Sequence, residues 1–372
     1  MKLHRLTVGL CLLVACAAPV RQTQPEPLAV ASAPPVAPVA AAAPVPPSTL
    51  YTFEGVEVFG SRKVPKAELL EVIGMPAPGS RIDMAQGDFV TQMKESKKRL
   101  TEKWPFALCR YSIVQYPEPL TMRLTVDLVD VGDEWRMQFS PAPQGNVPDP
   151  EGLIAAWQDY RKVFSELQKA GEVPSFGVGT CGAIVCHGGF AHPKLAGREQ
   201  KFLEGVPRNF DALVRVLRED RDEGKRMDAV FLLAYGRSRE KVVEAIAPSV
   251  KDPSSGVRNE VLRTFGAAQE GQKRVIAPLE PILAALWFPL STDRNKAGWA
   301  LVRIVETEGA ARRQQILEKS GEMLLQMVGM QQRIDHEPAQ KVLTLLAGRD
   351  LGRDEAAWRR WAQEAQVSSA AR

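Results

Sequence analysis

The stretch KDPSSGVRNEVLRTFG, residues 251–266, carries the pattern that decides the fold. Asp252 and Pro253 predict a turn, and the two serines behind them are suited to cap the helix that follows. Apolar residues then recur at helical spacing, which predicts a face that packs inward. Arg258 lies at the start of this predicted helix.

The same pattern recurs on both sides of this stretch. KRMDAVFLLAYG begins at residue 225 and DRNKAGWALVRIV at residue 293, and they align so that Arg226, Arg258 and Arg294 coincide, spaced 32 and then 36 residues apart. Each copy follows another amphipathic helix, so the segment is predicted to consist of helix pairs. Over roughly residues 200 to 350 it resembles the HEAT repeat, including the short bacterial form also found in phycobilin lyases.

This resemblance implies that residues 201–368 form an all-α solenoid that ends in a C-terminal cap. Such solenoids bind other macromolecules on the surface formed by the second helix of each pair. Arg226, Arg258 and Arg294 are assigned to this repeat face. They are interpreted either as a row that binds anions or, as we favour, as ties between neighbouring pairs through turn carbonyls and acidic side chains.

Residues 50–136 predict a small α/β domain, so the chain as a whole is expected to be multidomain. The alternation of Phe53, Val56 and Val58 is typical of a strand, and Gly74 is placed to end the helix that follows. A second amphipathic helix and two alternating strands complete the order β-α-α-β-β. This order, with its GxxxxPxxELL step, resembles the polypeptide-transport-associated (POTRA) domain. The resemblance implies a sheet edge offered to a partner strand, whereas a plain spacer is the other interpretation.

Residues 137–200 predict a connecting helix and then a glycine-rich loop that contains Cys181, Cys186, His187 and His192. We favour a disulfide between the two cysteines, because an exported protein permits one. A metal site made by all four residues is an alternative, although their spacing is unusual for zinc. A redox dithiol and a pair of free thiols are two further interpretations.

The N-terminus predicts export. Residues 1–15 combine basic residues with a short apolar core, as a signal peptide does. The four residues LVAC that end at Cys16 resemble the lipobox of bacterial lipoproteins, which implies cleavage before Cys16 and lipidation of its thiol; ordinary secretion is the alternative. Residues 16–49 are rich in Ala and Pro and predict a disordered linker. Ala17 after the cysteine implies anchoring in the outer membrane, facing the periplasm.

The charge balance argues against nucleic acid as a partner, since 48 basic and 44 acidic residues leave a formal charge of only +4. The chain contains no recognisable catalytic or cofactor motif. We therefore expect a non-catalytic protein without a cofactor: a lipid-anchored envelope protein that serves as a protein–protein interaction scaffold or adaptor. The alternatives are a metal-binding or thiol-dependent protein centred on the cysteine loop, or a lyase-related HEAT protein.

Overall fold

A computed structural model describes residues 49–116, 118–173 and 180–370. The predicted signal peptide, the lipidation site at Cys16 and the linker up to residue 48 lie outside the described residues. Within the described ranges, no helix combines the length and the apolar character that a bilayer crossing requires.

The N-terminal part is a four-stranded mixed sheet with two helices. In chain order its elements are β1 (Leu50–Phe59), α1 (Lys66–Ile73), β2 (Arg81–Asp83), α2 (Asp88–Lys103), β3 (Phe106–Tyr116) and β4 (Thr121–Asp130). The strands lie in the order β2–β1–β4–β3, with β1 parallel to β4 and the other neighbours antiparallel. The strand β2 has no counterpart among the predicted elements, because three residues are too few to show an alternating pattern.

Local sequence explains the turns around the first helix. Gly60 follows β1 with φ 103°, and Gly74 ends α1 with φ 56° and donates its N–H to the carbonyl of Leu70. Both are left-handed conformations that glycine adopts without the steric cost of a Cβ. The predicted end of this helix is therefore present at Gly74.

The central strand β4 is buried on both faces. Leu124, Val126 and Leu128 belong to the core that the sheet shares with α1 and α2. Between them, Thr125 and Asp127 are also fully buried, although polar residues at alternating positions predict a solvent-facing side. Hydrogen bonds from the helical part satisfy these two side chains, so this second face of the sheet is an internal contact.

Ten α-helices follow the sheet within the described residues. They are α3 (Leu153–Lys169), α4 (Arg198–Arg208), α5 (Phe210–Glu219), α6 (Glu223–Leu233), α7 (Arg239–Ile246), α8 (Ser255–Gln269), α9 (Leu279–Ala285), α10 (Ser291–Gly329), α11 (Arg333–Ala347) and α12 (Glu355–Ala370). Short 3₁₀ turns at Glu134–Met137, Pro150–Gly152 and Ala247–Lys251 connect some of them. The protein is thus a small α/β part followed by a mostly helical part.

The helices pack in an order that follows the chain. Helix α3 packs against α6, α6 against α8, α8 against α10, and α10 against α11. Helices α5, α7 and α9 pack against α6, α8 and α10, respectively. One apolar core runs through these helices and reaches Phe59 at the end of β1.

Helix α10 differs from the repeat pattern, which assigns residues 293–305 and 314–331 to separate helices. The structure has one continuous helix of 39 residues. Within it, only Glu308 has non-helical backbone angles (φ −136°, ψ 29°). No proline lies between the two segments, and the Glu308 carboxylate accepts hydrogen bonds from the Val275 N–H and from Arg312 Nε, each at 3.2 Å. The connection is therefore a kink, where the sequence suggested a loop.

Candidate interaction surfaces

Three buried arginines hold neighbouring helices together. Arg226, Arg258 and Arg294 lie at equivalent places in α6, α8 and α10, and each is at most 3% exposed. Each Nη1 donates to the carbonyls of the residues five and six positions earlier, in the turn before its own helix. Each guanidinium also pairs with an aspartate that comes later in the chain. We call these arginines and their carboxylates the arginine ladder.

The ladder is made of close, charge-assisted contacts. Arg226 binds Asp252 through Nε and Nη2, both at 2.9 Å. Arg258 binds Asp293 at 2.7 Å. Burial raises the pKa of the Asp293 carboxyl, and the neighbouring Arg258 opposes that effect. The arginine N–H groups bind carbonyl and carboxylate groups of the protein itself. The three arginines therefore tie neighbouring helices together and do not form a row of anion-binding sites.

Arg294 also joins the sheet to the helices. Its Nη2 donates to Asp127 of β4 at 2.8 Å, and its Nε donates to Asp335 of α11 at 3.3 Å. The backbone N–H of Ser291 binds the other oxygen of Asp127, and the Ser291 hydroxyl binds Asp335. Burial raises the pKa of Asp335 to about 6, although Arg294 opposes the shift. This cluster fixes the sheet against α10 and α11.

A second set of side chains lies one step further along the same helices. The residues two and five positions after each ladder arginine share one helix face, because they are three residues apart. We call them the second-helix surface; they are Asp228 and Phe231, Glu260 and Arg263, and Lys296 and Trp299. Unlike the ladder arginines, no two of these six residues are the same at equivalent positions.

Part of this second-helix surface is open to solvent, whereas Asp228, Phe231 and Glu260 are buried. Trp299 is 40% exposed, and the Arg263 side chain is 42% exposed. The Glu260 carboxylate is buried and pairs through Oε2 with Arg263 Nε at 3.3 Å, and burial raises the pKa of this carboxyl. Burial and the nearby Arg263 lower the pKa of Lys296. Exposed aromatic and arginine side chains are typical of a surface that meets something outside the chain.

The cysteine loop is closed by a disulfide. The sulfur atoms of Cys181 and Cys186 lie at bonding distance, which is the pairing that the sequence favours. The loop is attached to the helices through the Ile184 N–H, which donates to the Ala234 carbonyl at 2.8 Å, and the Gly182 N–H, which donates to Glu199 at 2.6 Å. Both sulfurs are used in the bond, so neither is a free thiol.

The structure does not bring the two loop histidines to the cysteines as a metal site. His187 packs its ring edge-on against Trp157 and Phe231, while His192 contacts Glu172 at 3.2 Å. Across the part of the chain that the structure describes, no group of three or more His, Cys, Asp or Glu side chains is placed to hold a metal. The predicted ligands therefore have separate structural partners.

An aromatic cavity lies under this loop, between α3 and α6. We call it the loop cavity, and its volume is about 270 Å³. It is lined by Trp157, Tyr160, Arg161, Phe164, Ser165, Gln168, His187 and Phe231. Burial, with Arg263 and Arg161 nearby, lowers the pKa of His187 to about 4. The imidazole is therefore neutral at neutral pH. The sequence does not predict this cavity, because aromatic residues at helical spacing look alike whether they fill a core or line a cavity.

Two features of the sheet are also accessible. Strand β3 pairs only with β4 in the described sheet and forms its outer edge. A cleft of about 510 Å³ lies where the sheet meets α10, and Trp135 and Trp287 line it with their rings 5.4 Å apart. Trp135 is 47% exposed. No family model matches this chain, and no curated protein matches it, so its function has to be argued from these surfaces.

Proposed function

We propose that this chain is a non-catalytic envelope lipoprotein that acts as a scaffold or adaptor for other proteins. In this proposal the helical part is a HEAT-like solenoid, the sheet part is a POTRA-like domain, and lipid on Cys16 holds both at the outer membrane, facing the periplasm. The linker of residues 16–49 serves as the tether. The observation that carries the proposal is the second-helix surface, whose residues differ from pair to pair beside ladder arginines that do not.

The chemistry of that surface suits a protein partner. Exposed tryptophan and arginine side chains dominate the binding energy of many protein interfaces, and Trp299 and Arg263 lie on neighbouring helices. Glu260 pairs with Arg263 at 3.3 Å and so belongs to the same polar contact. The outer strand β3 offers a second mode of contact, the addition of a partner strand to the sheet.

Site-specific photo-crosslinking in the native host tests the scaffold proposal. A benzophenone amino acid in place of Trp299 is expected to give a discrete adduct, and Arg263→Glu in the same chain is expected to weaken it. The matched control places the crosslinker at Gln314, an exposed residue further along the same helix. The same adduct from Gln314, or no adduct from position 299, contradicts the proposal.

The lipid anchor is tested separately. Cells fed an alkyne fatty acid are expected to label the wild-type chain and not the Cys16→Ser variant, because the thiol is the proposed attachment point. The variant is then expected to fractionate away from membranes. Labelling that survives Cys16→Ser would place any lipid elsewhere and reject this part of the proposal.

A further inference from the structure

The loop cavity contains two buried ring nitrogens that lack partners. Trp157 is 1% exposed, and its Nε1 has no hydrogen-bond acceptor among the described residues. The Nε2 atom of His187 is likewise buried and without a partner there. An indole N–H can only donate, so Trp157 requires an acceptor. Buried polar groups in folded proteins are almost always hydrogen-bonded, and two exceptions in one cavity point to a ligand that supplies an acceptor for the Trp157 N–H.

The charges around the cavity favour an anionic acceptor. Arg161 lines the cavity and gives one N–H to Asp228 at 2.9 Å; a guanidinium has five N–H groups, so further donors remain. Gln158 also donates to Asp228, so the two oxygens of that carboxylate bind different partners. Arg161 and Arg263 both act electrostatically on His187. A carboxylate bound here would therefore contact the Arg161 guanidinium and the neutral Trp157 N–H.

The walls and the volume limit what the rest of the ligand is. Tyr160, Phe164 and Phe231 supply aromatic surface, and the Tyr160 hydroxyl is already used, since it donates to the Gly188 carbonyl at 2.8 Å. Such walls favour a flat apolar group. A volume of about 270 Å³ admits one ring with a short chain and excludes a nucleotide or a large cofactor.

We propose that the loop cavity binds an aromatic carboxylate, with the carboxylate on Arg161 and the Trp157 N–H and the ring among the aromatic walls. Two sources share this chemistry: a free aromatic acid, and the C-terminal residue of a peptide that ends in Phe or Tyr. The disulfide of Cys181 and Cys186 holds the loop that forms the roof. The inference does not depend on the lipid anchor or on the scaffold role.

Calorimetric titration of the purified, disulfide-intact chain tests the proposal. Phenylacetate is expected to bind at least tenfold more tightly than its neutral isostere phenylacetamide, because only the acid pairs with Arg161. To separate the sources, acetyl-Ala-Ala-Phe with a free carboxylate is compared with its C-terminal amide. Tight binding of the free-acid peptide relative to phenylacetate assigns a peptide terminus; the reverse assigns a small acid.

Two variants locate the binding in the cavity. Trp157→Phe keeps the aromatic shape and removes the N–H, and about a fivefold loss of phenylacetate affinity is expected. Arg161→Gln is expected to cost at least tenfold and to abolish the preference for the acid over the amide. The matched control Arg198→Gln removes an arginine from the next helix that pairs with Asp159 outside the cavity, and wild-type binding is expected.

Several results would overturn the proposal. One is the absence of phenylacetate binding to the folded wild-type chain. Another is equal binding of the acid and the amide, and a third is unchanged affinity in Arg161→Gln. If Trp157→Phe folds poorly by circular dichroism, the Arg161→Gln comparison and the acid-to-amide ratio still decide the question, because neither requires a change in the core.

Discussion

The arginine ladder and the second-helix surface lie on the same helices and differ in how they are satisfied. Ladder arginines such as Arg258 are buried and use their donors on turn carbonyls and on an aspartate. Two residues further on, Glu260 is buried and pairs with the partly exposed Arg263 at 3.3 Å. The ladder positions keep one residue type from pair to pair. The positions of the second-helix surface vary, and those that reach solvent, such as Arg263 and Trp299, can serve an external partner.

The largest expected effect comes from breaking one step of the ladder. Arg258→Met keeps much of the side-chain volume and leaves Asp293 buried without its cation, which is expected to lower the free energy of unfolding by about 3–5 kcal/mol. The matched control is Arg303→Met on helix α10, whose partly exposed side chain pairs with the exposed carboxylates of Glu270 and Glu306 and is expected to contribute within about 0.5 kcal/mol. Urea denaturation measures both; equal losses would erase the distinction between ladder and surface.

His187 is expected to make the protein less stable in mild acid. Its pKa is lowered to about 4, so the unfolded chain takes up the proton first as the pH falls below about 6.5. The stability that the neutral imidazole contributes is present above pH 6.5 and is lost towards pH 4, by about 3 kcal/mol. The His187→Gln variant should lack this loss relative to the wild type in denaturation curves at pH 6.5 and 4. An equal loss of unfolding free energy between pH 6.5 and 4 in the two proteins would contradict this prediction.

Asp335 in the ladder is expected to act in the opposite direction. Its pKa is raised to about 6, so the folded protein binds this proton more tightly than the unfolded chain. Its contribution is fully present below about pH 3.9 and is lost as the pH rises through 6, by about 3 kcal/mol. Asp335→Asn is expected to remove this gain in acid, measured as the change in unfolding free energy between pH 7 and 4 relative to wild type. A variant that gains as much as the wild type would show that Asp335 is ionised at both pH values.

The disulfide is expected to have the smallest effect of the four. Replacing Cys181 and Cys186 by serine opens a loop of six residues and is expected to cost about 2 kcal/mol. Reduction of the wild-type protein with a phosphine should give the same loss in urea midpoint, because both treatments remove the same bond. A much larger loss from the substitution than from reduction would mean that the serines disturb the loop cavity themselves.

Sequence patterns predicted the local elements better than their partners. Periodicity was sufficient for β1, α1, α2, β3 and β4 and for the recurring helix starts at the ladder arginines, because these features depend on neighbours in the chain. The partners of Arg294 could not be predicted, since Asp127 and Asp335 lie on a strand and a helix far away in sequence. The alternation in β4 is likewise compatible with an exposed side, whereas the structure has an internal contact at Thr125 and Asp127.

The cavity under the disulfide loop shows a second limit. Trp157 packs against Tyr160, Phe202 and Phe231, as a core residue at helical spacing does. Nothing in its spacing distinguishes a fully satisfied core residue from one whose N–H has no acceptor. That distinction requires the positions of the surrounding atoms, so the site is visible only in three dimensions.

One guanidinium, that of Arg294, is shared by a strand and a helix that are otherwise remote in the chain. Replacing Arg294 alone would therefore leave two buried carboxylates without their cation, whereas replacing either carboxylate alone still leaves one ion pair. In descendants of this gene we expect Arg294 to be retained wherever both aspartates are present, because its loss alone would be purged by selection. Domain shuffling that separates the sheet from the helices would meet the same obstacle.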